Sequence, residues 1–319
     1  MGGAGQTADW DRALLAGDPG ASFLQSAGFG KVQAEEGWRP LPVVLTGGAR
    51  ALVLLSGPPG LRLASVRRGP VPATASAVSD LVAWARGAGV ARLRVEPEAP
   101  AGFGESLRRA GWVPVAAADP VDTLLVPLRA PEEMLASFHQ KHRYNIRLAS
   151  RRGVVVERCA AGEGAQELHL QHAATAARQH ISPPGLGAYQ RRLDHLAWCR
   201  VYVARVGGEP VAAIMVVRFG ERAVYLFGGS SGAHSNLQPT YAIQWTAMQE
   251  AWEAGCAWYD LWGVPPSSDP THPWHGLWQF KMGFRGELTT YCGAWEYAIR
   301  PRRAALARRL EAVRERVRR

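Results

Sequence analysis

Cysteine is scarce in the 319-residue chain: Cys159, Cys199, Cys256 and Cys292 stand far apart, and no two form a CxxC pair. That spacing argues against a zinc site and against a disulfide-stapled secreted domain, and the four thiols read as packing residues. Long apolar runs are missing as well. VAAIMVV, residues 211–217, is strand-sized and far short of the roughly 20 residues that a bilayer-spanning helix needs. The opening MGGAGQTADWDRALLAGDPG has no apolar core region, so no secretory signal is read. These absences predict a soluble, cytoplasmic protein with no stable membrane insertion. Lysine is also rare, with Lys31, Lys141 and Lys281 as the whole set, so the basic character rests on arginine.

Hydrophobic residues make up 47% of the chain, enough to bury a substantial core. The formal net charge is +10 and the isoelectric point about 9.9, which favours acidic partners: nucleic acid, phosphorylated metabolites or an anionic surface. The charge concentrates in FHQKHRYNIRLASRRG, residues 138–153. Pro131 with Glu132 and Glu133 predicts a helix start, and Gly153 its end. Leu135, Phe138, His142, Ile146 and Ala149 recur at helical spacing and predict a buried face. Arg143, Arg147 and Arg151 line a second face, which is either solvated or a track for a polyanion.

The remaining pattern predicts an α+β chain. RVYVARV, PVAAIMVVRF and RAVYLFGGS read as an antiparallel meander, followed by a helix from about Pro239 to Ala254 with Ala242, Trp245, Gln249 and Trp252 on one face, then the strand AWYDLWG. The first half repeats this grammar: the hairpin PVVLTGGARALVLL, the helix SAVSDLVAWARGAG and the strand ARLRVE. LVAWARGAGVARLRVE and MQEAWEAGCAWYDLWG are alike enough to suggest a duplicated module. Meander, helix and further strand is the order of GNAT-type acyltransferases, so two GNAT-like domains are expected, each a mostly antiparallel sheet flanked by helices. A GNAT fold ordinarily holds coenzyme A through a glycine-rich loop with a cation at a helix N-terminus. Here GGSSGAHSNLQPTYA has glycines but no positive residue, so no cofactor is expected. The C-terminal RPRRAALARRLEAVRERVRR reads as an amphipathic helix with Leu306, Leu310, Val313 and Val317 as its buried stripe. THPWHG carries His272 and His275, but its prolines and the lack of a third ligand predict a loop with no metal.

Three stretches together, ASFLQSAGFGKV, RYNIRLASRRGV and GLWQFKMGFRGELTTYCGAWEY, resemble the FemABX family of peptidoglycan bridge-forming aminoacyltransferases, in its compact, armless form. The third is the most specific, an F-K-x-G-F-G-G-E-like segment in which Arg285 stands where glycine is usual. The resemblance implies two GNAT-like domains, expected over 1–128, completed by 296–319, on the acceptor side, and over 129–295. It implies transfer of an amino acid from aminoacyl-tRNA to the side-chain amine of the stem peptide of a nucleotide-linked or lipid-linked precursor. Both partners are anionic, in keeping with the charge.

On that resemblance Lys281 is the first catalytic candidate, stabilising the oxyanion of the tetrahedral intermediate or holding the terminal tRNA phosphate. Glu96 and Asp260 are weaker candidates for moving a proton. Lys31 and Tyr189 match positions that contact the precursor. Two positions depart: Gly185 replaces an arginine, and Phe227 a tyrosine. Arg143, Arg147 and Arg151 are the candidate tRNA contacts. The alternatives are a coenzyme-A-dependent N-acyltransferase on the same fold and a noncatalytic RNA-binding protein.

Overall fold

Glycine ends the helices that feed the strands, and the same arrangement is built twice. A computed structural model describes residues 4–179, 182–265, 269, 271 and 274–318, with the side chains of 4–7, 312 and 314–318 left aside. The chain forms two compact units, Met1–Val121 with Thr290–Arg319, and Asp122–Thr289.

The first unit begins with α1 (Ala4–Gly17) and α2 (Ala27–Glu35), then β1 (Arg39–Val44), β2 (Arg50–Ser56) and β3 (Leu63–Arg67). Helix α3 (Ala75–Gly87) crosses to β4 (Arg92–Glu96), followed by α4 (Phe103–Arg109) and β5 (Val113–Val115). In the second unit β6 (Asp122–Pro127) leads to α5 (Pro131–Ser137), α6 (Gln140–Arg151), β7 (Val155–Cys159), α7 (Ala161–Gln179) and α8 (Leu186–His195). The meander β8 (Cys199–Val206), β9 (Glu209–Phe219) and β10 (Arg222–Ser230) precedes α9 (Pro239–Glu253), β11 (Trp258–Gly263), α10 (His275–Met282) and β12 (Glu287–Thr290). The chain then returns to the first unit through β13 (Ala294–Ala298) and α11 (Pro301–Arg318).

The first sheet has the order β1-β2-β3-β4-β13-β5, and the second β12-β6-β11-β10-β9-β8-β7. The duplicated passages occupy equivalent places. Helix α3 carries the chain from β3 to its parallel neighbour β4, and α9 carries it from β10 to its parallel neighbour β11. The hairpins before them, β2–β3 and β9–β10, are antiparallel. Val78, Leu81 and Val82 of α3 share a core with Val53, Val66, Leu93 and Val95 of the sheet. In the second unit the run VAAIMVV is apolar throughout because both faces of β9 are covered. Ala212, Ile214 and Val216 join the core with Ile243, Ala247 and Met248 of α9, whereas Ala213 and Met215 face Leu168 of α7 and Tyr189 of α8.

Three expectations change. The domain boundary falls at Asp122 and Thr290 rather than at 129 and 296, because β6 pairs with β11 in the second sheet while β13 pairs with β4 and β5 in the first. The basic helix is two helices. Phe138 and His139 are extended between them; the His139 N–H donates to the Gly283 carbonyl at 2.9 Å, and its ring Nδ1 accepts from the Lys141 N–H. Helix α11 buries Ala304 and Ala307, leaving Leu306, Leu310 and Val313 exposed; the side chain of Val317 lies outside the described residues.

Candidate active site and cationic groove

Strands β10 and β11 pair in register only from Arg222 and Trp258 to Val224 and Asp260. Just beyond, β10 is irregular between Tyr225 and Phe227, and β11 between Asp260 and Gly263. Trp262 takes φ +56°, a left-handed conformation uncommon for a large side chain. The carbonyls of Leu261 and Gly263 thereby both accept from the Lys281 ammonium, at 2.8 and 2.6 Å. Lys281 is 5% exposed and its Nζ lies 5.6 Å from the centre of the Tyr225 ring. Burial lowers its pKa to about 8, opposed by the negative charge of Asp260. An ammonium has three N–H donors, and two are taken by carbonyls. Among the described residues the third has no partner.

The segment around Lys281 is held by packing that admits only glycine at two points. A Cβ on Gly283 would sit 1.8 Å from the His142 ring, and one on Gly286 would sit 2.6 Å from the Leu125 carbonyl oxygen. The His142 Nε2–H donates to the Phe280 carbonyl at 2.8 Å, which places the proton on Nε2 of the neutral ring. Its ring packs edge-on against Tyr241 and Phe284, at 4.9 and 4.8 Å between centroids, and burial depresses its pKa. The helical spacing marked His142 only as one residue of a buried face. Its bracing of the lysine-bearing segment was missed, although Gly283 and Gly286 around Phe284 signal the crowding. Arg285 adopts φ +51°, the left-handed region that favours glycine.

Asp260 adjoins Lys281 but its carboxylate is engaged. One oxygen accepts from the Thr123 hydroxyl and from the Trp262 N–H, the latter at 2.7 Å, and the other lies 4.0 Å from Arg222. Tyr189 is fully buried and shares a 2.8 Å hydrogen bond with His172 Nδ1; the Phe227 ring packs edge-on against it at 5.3 Å, beneath the Arg192 guanidinium. Gly185 caps α8 through its backbone. The glycine-rich connection after β10 does meet a cation, supplied by α7: Arg178 donates to the carbonyls of Ser230 and Ser231 at 2.7 Å each. His275 opens α10 and stacks on Trp278 rather than lying in a loop, and His272 is outside the described residues.

In the first unit, Lys31 is exposed on α2, where its charge acts on Asp11. Glu96 is buried at the end of β4. One of its oxygens accepts from the N–H groups of Ala118 and Asp119, at 3.0 and 3.1 Å, and among the described residues the other has no hydrogen-bond partner. Burial raises its pKa, and the neighbouring Asp119 adds to the rise.

Arg143, Arg147 and Arg151 come together along one wall of a groove of about 1000 Å³ on the second unit. Ile146, Val154, Val156 and Trp245 supply apolar surface, and the exposed Tyr144 lies between the cations. Ala242, Trp245 and Gln249 of α9, read from sequence as one face, line this groove; Trp252 is partly exposed, and the core side of the helix is Ile243, Ala247 and Met248. The three arginines are not equivalent. Arg143 donates to the carbonyls of Ala136 and Phe138, at 3.2 and 2.6 Å, and so closes the C-terminal end of α5. Among the described residues Arg151 donates only to the Arg147 carbonyl, at 3.4 Å, and both Arg147 and Arg151 are exposed.

The FemAB family profile matches residues 202–312, a span that holds Phe227, Asp260 and Lys281. A crystal structure of FemX superposes with a TM-score of 0.80 at 18% identity, covering 93% of this chain and 96% of that one. The chain is similar to the FemABX family, in sequence over that span and in fold over nearly its whole length. Lipid II:glycine glycyltransferases of Staphylococcus saprophyticus and Staphylococcus aureus are each 29% identical to it over 92 residues, 29% of this chain and 22% of theirs. The matched segment is thus about a fifth of the length of those relatives. L-PGS from Bacillus licheniformis shares the fold more loosely, with a TM-score of 0.55 at 13% identity over 97% of this chain and 96% of that one.

Proposed function

We propose that this chain is a FemABX protein that transfers an amino acid from aminoacyl-tRNA to the side-chain amine of a peptidoglycan stem peptide, in the cytoplasm, as a step of interpeptide bridge formation. The observation that carries the proposal is the buried Lys281 ammonium, held by two carbonyls with one donor open, where β10 and β11 part. In the reaction the stem-peptide nitrogen attacks the ester carbonyl, the carbonyl oxygen becomes an oxyanion, and the bond to the ribose oxygen then breaks. The nitrogen loses a proton and the ribose oxygen gains one. The third Lys281 N–H meets the oxyanion in a site from which most water is excluded, where such a donor is worth far more than in bulk.

Proton transfer divides the two carboxylates. Asp260 has its oxygens committed to Thr123, Trp262 and Arg222, and its role is to hold the end of β11 and keep Lys281 charged. Glu96 belongs to the first unit; its raised pKa and an oxygen with no partner among the described residues make it a proton-acceptor candidate of that unit, apart from the Lys281 site. The groove lined by Arg147 and Arg151 provides cations for tRNA phosphates, and Tyr144 an aromatic face for a base. The name of the staphylococcal relatives supports a lipid-linked acceptor, and the replacement of a family arginine by Gly185 and a tyrosine by Phe227 points the same way.

Transfer itself is the test. A panel of charged tRNAs is incubated with nucleotide-linked and lipid-linked precursors, with acetyl-CoA as a control donor, and the products are read by mass spectrometry. The stem peptide should gain one or more aminoacyl residues from charged tRNA only. Acetylation from acetyl-CoA, or tRNA binding with no product from any pair, would reject the reading.

A further inference from the structure

Helix α11 is turned the opposite way from an ordinary surface helix. Two of its alanines, Ala304 and Ala307, are buried against the rest of the first unit, and polar pairs fix that side: Arg308 to Glu296 at 2.8 Å, and Glu311 to the buried Arg92. Its larger apolar residues face away. Leu306, Leu310 and Val313 recur at i, i+4 and i+7 and are 49%, 44% and 58% exposed. At 100° per residue they form a stripe, and Arg302, Arg303 and Arg309, all exposed, fall within roughly 60° of it on both sides. Beside the stripe lies a hollow of about 530 Å³ of mixed character, lined by Leu310, Trp38, Leu61 and Leu63 together with Arg94 and Glu311.

A narrow apolar stripe bordered on both flanks by guanidinium groups matches one surface in both respects. Acyl chains receive the stripe, and the phosphates of anionic headgroups receive the arginines. The net charge of +10 adds long-range attraction to such a surface. We propose that α11 docks the protein on an anionic lipid surface, with Leu306, Leu310 and Val313 at the acyl boundary and Arg302, Arg303 and Arg309 at the phosphates. The proposal deepens the reading of a lipid-linked acceptor, which would be presented at that surface, but its binding test requires no transfer.

The test is flotation of the full-length protein with vesicles of phosphatidylcholine alone or with about one third phosphatidylglycerol. Wild type should float with the anionic vesicles only, less so at high salt. L306E/L310E should lower the partition coefficient at least tenfold, with an unchanged circular dichroism spectrum and melting temperature. R302Q/R303Q/R309Q should lower it by roughly a hundredfold at low salt, since each arginine near such a surface contributes about a factor of five. Wild type that ignores anionic vesicles, or variants that float like wild type, would overturn the proposal. A dimer that L306E/L310E dissociates, with no vesicle capture, would overturn it too and assign the stripe to a second copy. Transfer to the soluble nucleotide-linked precursor should survive L306E/L310E while transfer to vesicle-borne precursor falls. Flotation without transfer to either precursor would uphold the docking and reject the enzymatic reading.

Discussion

Replacing Lys281 by methionine should separate stability from catalysis. The pKa falls from 10.5 to about 8, so burial disfavours the ammonium by about 3 kcal/mol at roughly 1.4 kcal/mol per unit. Methionine removes that cost, but leaves the Leu261 and Gly263 carbonyls unpaired, at about 1–3 kcal/mol each. The two effects largely offset, and Lys281→Met should stay folded. Catalysis has no such compensation: losing one oxyanion donor typically costs about 100- to 1,000-fold, and a drop of at least tenfold in single-turnover transfer is expected. The pH dependence gives a second readout. The folded pKa lies below the unfolded one, so between about 8 and 10.5 the unfolded chain binds more protons and stability rises with pH. Denaturation of wild type should show that rise, and Lys281→Met should lack it. Wild-type transfer should fall as pH passes about 8 and the ammonium is lost. Transfer within threefold of wild type in a folded Lys281→Met protein would refute the reasoning.

Arg147→Gln with Arg151→Gln should weaken tRNA binding and reduce its salt slope by roughly 1 per arginine, measured by titration at several salt concentrations; an unchanged slope would leave the groove a solvated face. Arg143→Gln should instead cost about 1–2 kcal/mol of stability by denaturant melts, because it frees the two carbonyls that end α5. Arg285→Gly should raise stability by about 1 kcal/mol by relieving a left-handed φ, and no gain would mean that the side chain has compensating contacts. Gly283→Ala should destabilise by at least about 2 kcal/mol, since its Cβ overlaps the His142 ring, and should slow transfer as well. With one charged tRNA, the lipid-linked precursor should have the higher specificity constant, and Phe227→Tyr should recover little with the nucleotide-linked form. A tenfold advantage for the nucleotide-linked form would contradict this.

The β1–β2 hairpin, β4, the meander β8–β10, β11 and the helices α3 and α9 were legible because alternation, apolar runs and terminal glycines act locally, whereas β5 and β6 went unread. The break at Phe138 and His139 was not, since helical spacing runs through it and the cause is a hydrogen bond to Gly283, far along the chain. Helix α11 misled in a different way. Its leucines carry the periodic signal, but small alanines allow closer approach to the sheet and take the buried side. Lys281 was legible as a candidate only through its motif. Its carbonyl partners depend on the turn of β11 at Trp262, which no local pattern encodes. The engagement of Asp260 by Thr123 was hidden for the same reason, as the two residues meet only when β6 pairs beside β11.

The most direct measurement uses bulk tRNA charged with labelled amino acids and a lipid-linked precursor in detergent. The label is followed into the lipid fraction, with ribonuclease-treated tRNA plus the same free amino acids as the control. Label that reaches the stem-peptide amine from intact aminoacyl-tRNA, and is lost on ribonuclease treatment and in Lys281→Met, is the result this account predicts. Label that stays with the RNA in the presence of folded wild-type protein, or that enters the precursor equally well after ribonuclease treatment, would contradict it.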